Sequence, residues 1–349
     1  MSAGSPGEGL DQRRYLGVDA GNSKTVAVLA DGIGRVLGWG RGGCGDIYAD
    51  TEESAVREVT AAVGAAMDTA MGASTGTAPG APLSRAALCL AGVDWLEDVA
   101  YWRSEIATRM PALTGCSIRN DGFALLRAGA GDSLRSGVGV AISVGTGGAV
   151  VGRGPAGAEW SPSMWITHPA GGGDLGRAAM HAVVRAELGL APATKLSGVL
   201  PAVHQLPDVA ELLHQTSRRS PDVPVRHAHA ARVVLAVAAE GDAVARGIVA
   251  DQARALAGYV RVVAGRTGFT EAEPVPVVIG GSVGATPVMR EAIIDALRLE
   301  VPRAEPRIAR RAPVLGAVLE AIAEDGVPLD EQLVARLDAA ELPDHLLRT

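Results

Sequence analysis

The chain has 349 residues, 48% of them apolar, and a formal net charge of −7, so it is long enough for two packed domains with separate cores. No Lys/Arg run exceeds two residues, and the balance is acidic, which argues against a nucleic-acid surface. The longest apolar runs fall far short of the roughly 20 residues of a membrane helix. The first dozen residues are small, polar and acidic rather than those of a signal peptide, so the expected location is the cytoplasm. Cys44, Cys89 and Cys116 are odd in number and widely spaced, giving neither a disulfide framework nor a metal spacing.

In chain order, residues 15–19 predict a strand that enters the glycine-containing turn GVDAGNSKT (17–25) and continues as a second strand over 25–30. This is a hairpin, not the strand-turn-helix that a P-loop or a Rossmann fingerprint requires, and neither GxxxxGK[ST] nor GxGxxG occurs at this turn. A third strand is predicted over 36–40 and a helix over 51–71, where Val56, Val59, Ala62, Val63 and Ala66 fall on one face. A Gly/Ala/Pro/Ser stretch over 72–82 reads as a flexible link to a strand at 86–90. A helix over 94–109 and a short strand over 117–120 lead to Asp121.

The second half repeats this grammar. A strand at 139–144, the turn SVGTGG (143–148) and a strand at 149–152 form another hairpin, which reads as internal duplication. Helices are predicted over 175–188, 229–239 and 242–266, the last two joined by Glu240-Gly-Asp242, where glycine stops one helix and aspartate caps the next. A strand at 276–279 enters a third glycine turn, VIGGSVG (278–284), followed by helices over 288–299 and 312–324 and a polar tail. Three strand-to-turn junctions at which backbone can approach a ligand closely point to a nucleotide site, with two phosphate loops and a third turn packed on the nucleoside.

The order and separation of these turns resemble the actin, hexokinase and Hsp70 type of ATPase fold. Within it the chain is similar to the N-acetylglucosamine kinase and BadF/BadG-type ATPase family. The segments that carry the resemblance are 17–25, LAGVD (90–94), NDG (120–122), 143–148, EGD (240–242), 279–284 and APVLGA (312–317), spanning about residues 14–326. The resemblance implies an α/β protein of two duplicated actin-like (ribonuclease H-like) domains with a cleft between them. The expected boundaries are a tail at 1–13, an N-terminal domain of 14–122 plus 312–326, a C-terminal domain of 123–311 and a tail at 327–349.

It also implies an ATP- and Mg²⁺-dependent kinase, expected as a homodimer, acting on a small sugar or polyol. Asp19 would hold the metal beside the phosphates, or else stabilise its own turn. Gly21, Asn22, Lys24 and Thr25 would form the first phosphate loop, Gly145, Thr146 and Gly147 the second, and Gly280, Gly281, Ser282 and Gly284 the adenosine turn. Asp121 matches the general base of the resembling kinases; the competing reading is an N-cap for a helix over 123–130. Asn120 and Gly92 would line the acceptor site.

Two departures bear on the acceptor. The resembling sugar kinases carry an asparagine after the glycine-rich turn that here reads Gly42-Gly-Cys-Gly-Asp46, and a carboxylate there favours a cationic amine. The segment THPAGGGD (167–174) stands where the family carries Gly-Asp-Glu-Gly-Ser, with Asp174 placed to stand in for the acidic sugar contact and His168 nearby. Trp95, Trp160 and Trp165 either stack on a sugar face or pack in the core or at the rim. A hexose, an N-acetylhexosamine, an amino sugar or a cyclitol therefore all stand as acceptors. The rival readings are an ATPase activator of a radical dehydratase, which the cysteines do not resemble, and a non-catalytic sugar or nucleotide sensor, for whose DNA-binding head the first strand starts too early.

Overall fold

The computed structural model describes residues 9–72, 82–129, 136–162, 165–166, 170–219 and 227–347. In chain order the elements are β1 (Arg14–Ala20), β2 (Thr25–Asp31), β3 (Val36–Gly42), α1 (Glu52–Gly72), β4 (Arg85–Leu90), α2 (Leu96–Arg109), β5 (Ser117–Asn120) and α3 (Gly122–Ala128). Then follow β6 (Gly139–Val144), β7 (Gly148–Arg153), β8 (Glu159–Trp160), α4 (Gly172–Glu187), α5 (Leu196–Val203), α6 (Val209–Ser217), α7 (His227–Ala239), α8 (Ala243–Arg266), β9 (Val275–Gly280), α9 (Pro287–Glu300) and β10 (Ala304–Ile308). The chain closes with α10 (Pro313–Glu324), α11 (Glu331–Asp338) and the single turn α12 (Asp344–Leu347).

The chain divides into two compact units, residues 1–139 with 309–349 and residues 140–308. The first has a five-stranded sheet in the order β3-β2-β1-β4-β5, and the second a five-stranded sheet in the order β10-β9-β6-β7-β8. Both orders place a hairpin beside a pair of crossover strands, so the duplication read from the two hairpins extends to whole sheets. In the first sheet β1 runs antiparallel to β2 and parallel to β4, which is parallel to β5. The carboxyl ends of β1, β4 and β5 therefore lie side by side, the edge at which α/β sheets bind ligands.

Both faces of the first sheet are covered, and β1 alternates between them. Leu16 and Val18 join Val56, Val59 and Trp102 on the α1/α2 face, whereas Tyr15 joins Val318, Ile322, Leu333, Leu337 and Leu346 on the other. That second face explains two corrections to the expected domain limits. Residues 327–347 are not a tail outside the domains, since the apolar faces of α11 and α12 bury Leu333, Leu337 and Leu346 in the core. The boundary falls at 139/140 instead of 122/123, because α3 packs on α10, with a Cβ at Gly316 only 1.9 Å from the Ala124 carbonyl oxygen. The capping of α8 is as read: Asp242 accepts the Ala245 N–H. The short elements α5, α6, β8 and β10 are additions to the sequence reading, and α5 carries an internal proline, Pro201, that masks its periodicity. Among the described residues no helix is long and apolar enough to cross a membrane.

One buried ion pair ties α3 to α10: Arg127 Nε donates to Glu320 Oε2 at 2.6 Å, with side chains 5% and 3% exposed. Removing Glu320 takes away the closest counter-ion of a buried guanidinium, so Glu320→Ala is expected to destabilise the protein by about 3–5 kcal/mol in denaturant unfolding. Replacing both residues by apolar ones of similar volume should recover most of that loss. A near-neutral Glu320→Ala would show that the pair is solvated in solution.

Candidate active site

The β1–β2 hairpin closes at Gly21, whose N–H donates to the Lys24 carbonyl at 2.9 Å. Asn22 and Ser23 stand exposed at the tip, and among the described residues their N–H groups take no backbone acceptor. Such a row of free amides is an anion-binding surface. Asp19, the penultimate residue of β1, lies beside this turn. Burial pushes its carboxyl up to about 6, offset in part by the Lys24 ammonium. Lys24 donates to the Leu347 carbonyl, so α12 reaches the hairpin. Thr25 departs from expectation: it is fully buried, and its hydroxyl donates to the Gly43 carbonyl at 3.0 Å. Its position at the inward-facing start of β2 makes it a tie between two loops, not a phosphate ligand.

The end of β1, with Asp19, and the loops after β3, β4 and β5, with Asp46, Asp94 and Asp121, gather four carboxylates. Burial, then the charges of Asp19, Asp46 and Asp94, push the Asp121 carboxyl up to about 7, with the Gly122 N–H pulling the other way. Asp121 occupies the N-cap position of α3, yet its side chain makes no capping bond. Asn120 does that work instead, its Oδ1 accepting the Gly122 N–H at 3.0 Å while its Nδ2 donates to Asp94 Oδ1 at 3.0 Å. Both ends of the Asn120 amide are thus engaged in placing neighbours. Asp46 is buried, its Oδ1 accepts the Tyr48 N–H at 2.8 Å, and its own carboxyl is raised by burial. Gly92 makes room for it: at φ 74° a Cβ there would come within 2.5 Å of Asp46 Oδ1.

In the second unit the β6–β7 turn places Thr146 and Gly147 at the surface, with Gly145 N–H on the Gly147 carbonyl at 2.9 Å. The carbonyls of Gly145 and Thr146 accept from Gly172 and Gly173 at the start of α4. Among the described residues the Thr146 and Gly147 amides take no backbone acceptor and can face an anion. Gly171 belongs to this packing, since a Cβ there would sit 2.4 Å from the Gly147 carbonyl carbon. The third turn is strapped to the second: Val283 and Gly284 N–H both donate to the Val144 carbonyl, at 2.9 and 3.0 Å. Gly280 and Gly281 precede that strap, with Gly281 at φ 86°, and Ser282 is exposed.

Asp174 has a structural occupation that the acceptor reading did not foresee. Its Oδ2 accepts the Ala170 and Gly171 N–H groups at 3.0 Å, and Oδ1 pairs with Arg177, so it caps α4. Trp160 lies under the Arg266 guanidinium, 5.2 Å from its ring centre. Trp95 and Trp165 are exposed. His168 falls outside the described residues.

Two like-ordered sheets, each with glycine turns at the carboxyl ends of its central strands, define an actin-like ATPase fold. The chain belongs to the BadF/BadG/BcrA/BcrD ATPase family, whose profile matches residues 16–321. Among solved structures it is similar to a candidate N-acetylglucosamine kinase from Chromobacterium violaceum, at TM-score 0.63 and 22% identity over 88% of this chain and 99% of that one. A candidate N-acetylglucosamine kinase from Porphyromonas gingivalis gives TM-score 0.55 and 15% identity over 88% and 97%. A ROK family glucokinase from Streptomyces griseus, in complex with glucose and AMPPNP, gives 0.51 and 18% over 88% and 99%. No protein of curated function matches the sequence.

The site residues that sequence reasoning left unassigned are Asp94, Asp98 and Tyr48. Asp94 ends the LAGVD segment. Asp98 follows as the third residue of α2, the position from which an acidic side chain bonds back to the helix start.

The raised carboxyls give a pH signature. In the unfolded chain an aspartate loses its proton near pH 4, whereas folded Asp121 keeps it to about 7. Between those limits the folded state binds more protons, so stability falls as pH rises, and Asp19 adds in the same direction up to about 6. In metal-free buffer, Asp121→Asn should therefore melt several degrees above the parent protein at pH 8, with the gap closing by pH 4. A pH-independent gap would mean that Asp121 is not held protonated by its surroundings.

Proposed function

We propose that the protein is an ATP-dependent kinase that transfers the γ-phosphoryl group to a hydroxyl of a sugar or amino sugar. The observation that carries this reading is Asp121: a carboxylate at the end of β5, freed from capping by Asn120 and raised to about 7, where a general base works best. The family is one of ATPases, and the similar structures include a glucokinase with bound glucose and a nucleotide analogue, which supports phosphoryl transfer to a sugar alcohol.

In this reading the exposed amides at Asn22 and Ser23 and those at Thr146 and Gly147 bind phosphate oxygens, and Gly280, Gly281, Ser282 and Gly284 shape the nucleoside turn. Asp19 fits a Mg²⁺ role: its carboxylate is desolvated beside a phosphate-facing turn, and the cation needs only one or two carboxylates besides the phosphates. The metal would supply charge neutralisation on the triphosphate. Asp121 accepts the proton of the acceptor hydroxyl as the new O–P bond forms and the bond from the γ-phosphorus to the β–γ bridging oxygen breaks. Asp94, anchored by Asn120, orients the acceptor, and Asp46 accepts hydrogen bonds from its donors.

The test is ADP release with Mg²⁺ across hexoses, N-acetylhexosamines, free amino sugars and cyclitols, with mass detection of product. One acceptor should raise turnover far above the rate without acceptor; a flat response across the panel would overturn the kinase reading. Asp121→Ala is expected to lower kcat by a factor of about 10²–10⁴, the usual contribution of a general base, with nucleotide affinity within about twofold. Equal loss of ATP binding would give Asp121 a structural role. Asp46→Asn should shift preference away from amine-bearing acceptors with ATP affinity unchanged, and an unaltered acceptor profile would remove Asp46 from the site.

A further inference from the structure

Tyr48 combines two properties that seldom coincide. It is 53% exposed, yet its hydroxyl donates at 2.9 Å to Oδ1 of Asp98, which is only 5% exposed. Asp98 uses its other oxygen to accept the Asp94 and Trp95 N–H groups, at 2.9 and 2.7 Å. One buried carboxylate thus fixes both the loop after β4, which carries Asp94, and the tip of the Tyr48 ring. The ring is held at two further points. Its backbone N–H is bonded to Asp46, and its Cδ2 edge lies over Gly92, where a Cβ would come within 3.0 Å. An exposed aromatic side chain ordinarily keeps its rotamer freedom; this one is fixed at hydroxyl, ring edge and backbone, immediately beside Asp46.

We propose that Tyr48 is the acceptor-specificity residue, its immobilised ring forming the platform on which the C–H face of a pyranose stacks while Asp46 accepts from the donors at the ring's rim. Asp98 is the positioning residue that holds the platform. The chemistry matches the ligand class: a pyranose has an apolar face of axial C–H groups and an equatorial rim of donors, and it is bound by a flat apolar surface adjoining a buried acceptor. Fixing the ring beforehand removes an ordering cost from binding. This inference rests on the kinase reading for the word acceptor, but not for the binding event itself.

The experiment is saturation-transfer NMR of the full-length protein without nucleotide, titrated with glucose, glucosamine, N-acetylglucosamine and myo-inositol. A pyranose should receive saturation chiefly at its ring C–H protons. Tyr48→Ala should weaken its Kd about tenfold, the scale of a lost aromatic contact. Tyr48→Phe, which keeps the ring and loses only the tie to Asp98, should cost a smaller factor, and Asp98→Asn should resemble Tyr48→Phe. ATP affinity should be unchanged in both Tyr48 variants, and both should unfold in a single cooperative transition. Unaltered sugar binding in Tyr48→Ala, binding of no pyranose, or parallel loss of sugar and ATP binding would each overturn the proposal. Transfer is not part of this readout. A pyranose bound at Tyr48 without acceptor-stimulated ADP release would overturn the kinase and leave the platform, and the reverse pattern would do the opposite.

Discussion

Three carboxylates, Asp19, Asp46 and Asp94, sit close enough at one sheet edge to perturb a fourth, Asp121, and the charges that act on Asp121 are all negative. Such an arrangement opposes folding, since like charges drawn out of water raise each other's free energy. It persists because backbone and amide groups over-determine it. Tyr48 N–H holds Asp46, Asn120 Nδ2 holds Asp94, and the backbone at Asp94 and Trp95 is itself held by Asp98. The fold's contribution is the parallel run of β1, β4 and β5, which brings three loops to one edge without any of them being long.

The two units use the same strand order for different ends. At its strand ends the first carries acids; the second carries glycines and small residues whose backbone packs against backbone. Gly171 against Gly147 and Gly281 against Val144 are contacts that any side chain would break. A duplicated sheet can diverge in this way because strand order fixes where the loops emerge and leaves their chemistry open. In the proposed kinase the carboxylates would supply proton acceptance and cation binding, and the amides of the 145–147 turn would supply donors without adding charge.

Sequence alone disclosed the parts whose signal is local. The hairpins, the paired glycine turns and the Asp242 cap are set by neighbours in the chain, and the positions of Asp19 and Asp121 follow from strand ends. What escaped it depends on distant contacts. Thr25 reads as a loop hydroxyl, but its direction is decided by β2 pairing with Gly42 and by the Gly43 carbonyl across the sheet. Asp174 reads as an acid near a ligand, yet three hydrogen-bonding partners within its own helix start consume both oxygens. Residues 327–347 read as a polar tail, because Leu333, Leu337 and Leu346 are too sparse to show a periodicity without the sheet face they cover.

The division of labour between Asn120 and Asp121 shows why adjacent polar residues at a strand end resist a sequence reading. Either could cap α3, and aspartate and asparagine are both favoured caps. Capping by Asp121 would satisfy its carboxylate with helix N–H groups and lower its proton affinity. Capping by Asn120 leaves the carboxylate desolvated among its own kind, with its proton affinity raised. The choice is made by Asp94, which takes the Asn120 amide on the other side and fixes the flip that presents Oδ1 to Gly122. A neutral residue therefore does the structural work and leaves the carboxyl next to it free of capping bonds. The cost is borne by stability, and it falls on the pH range in which a base must give up its proton.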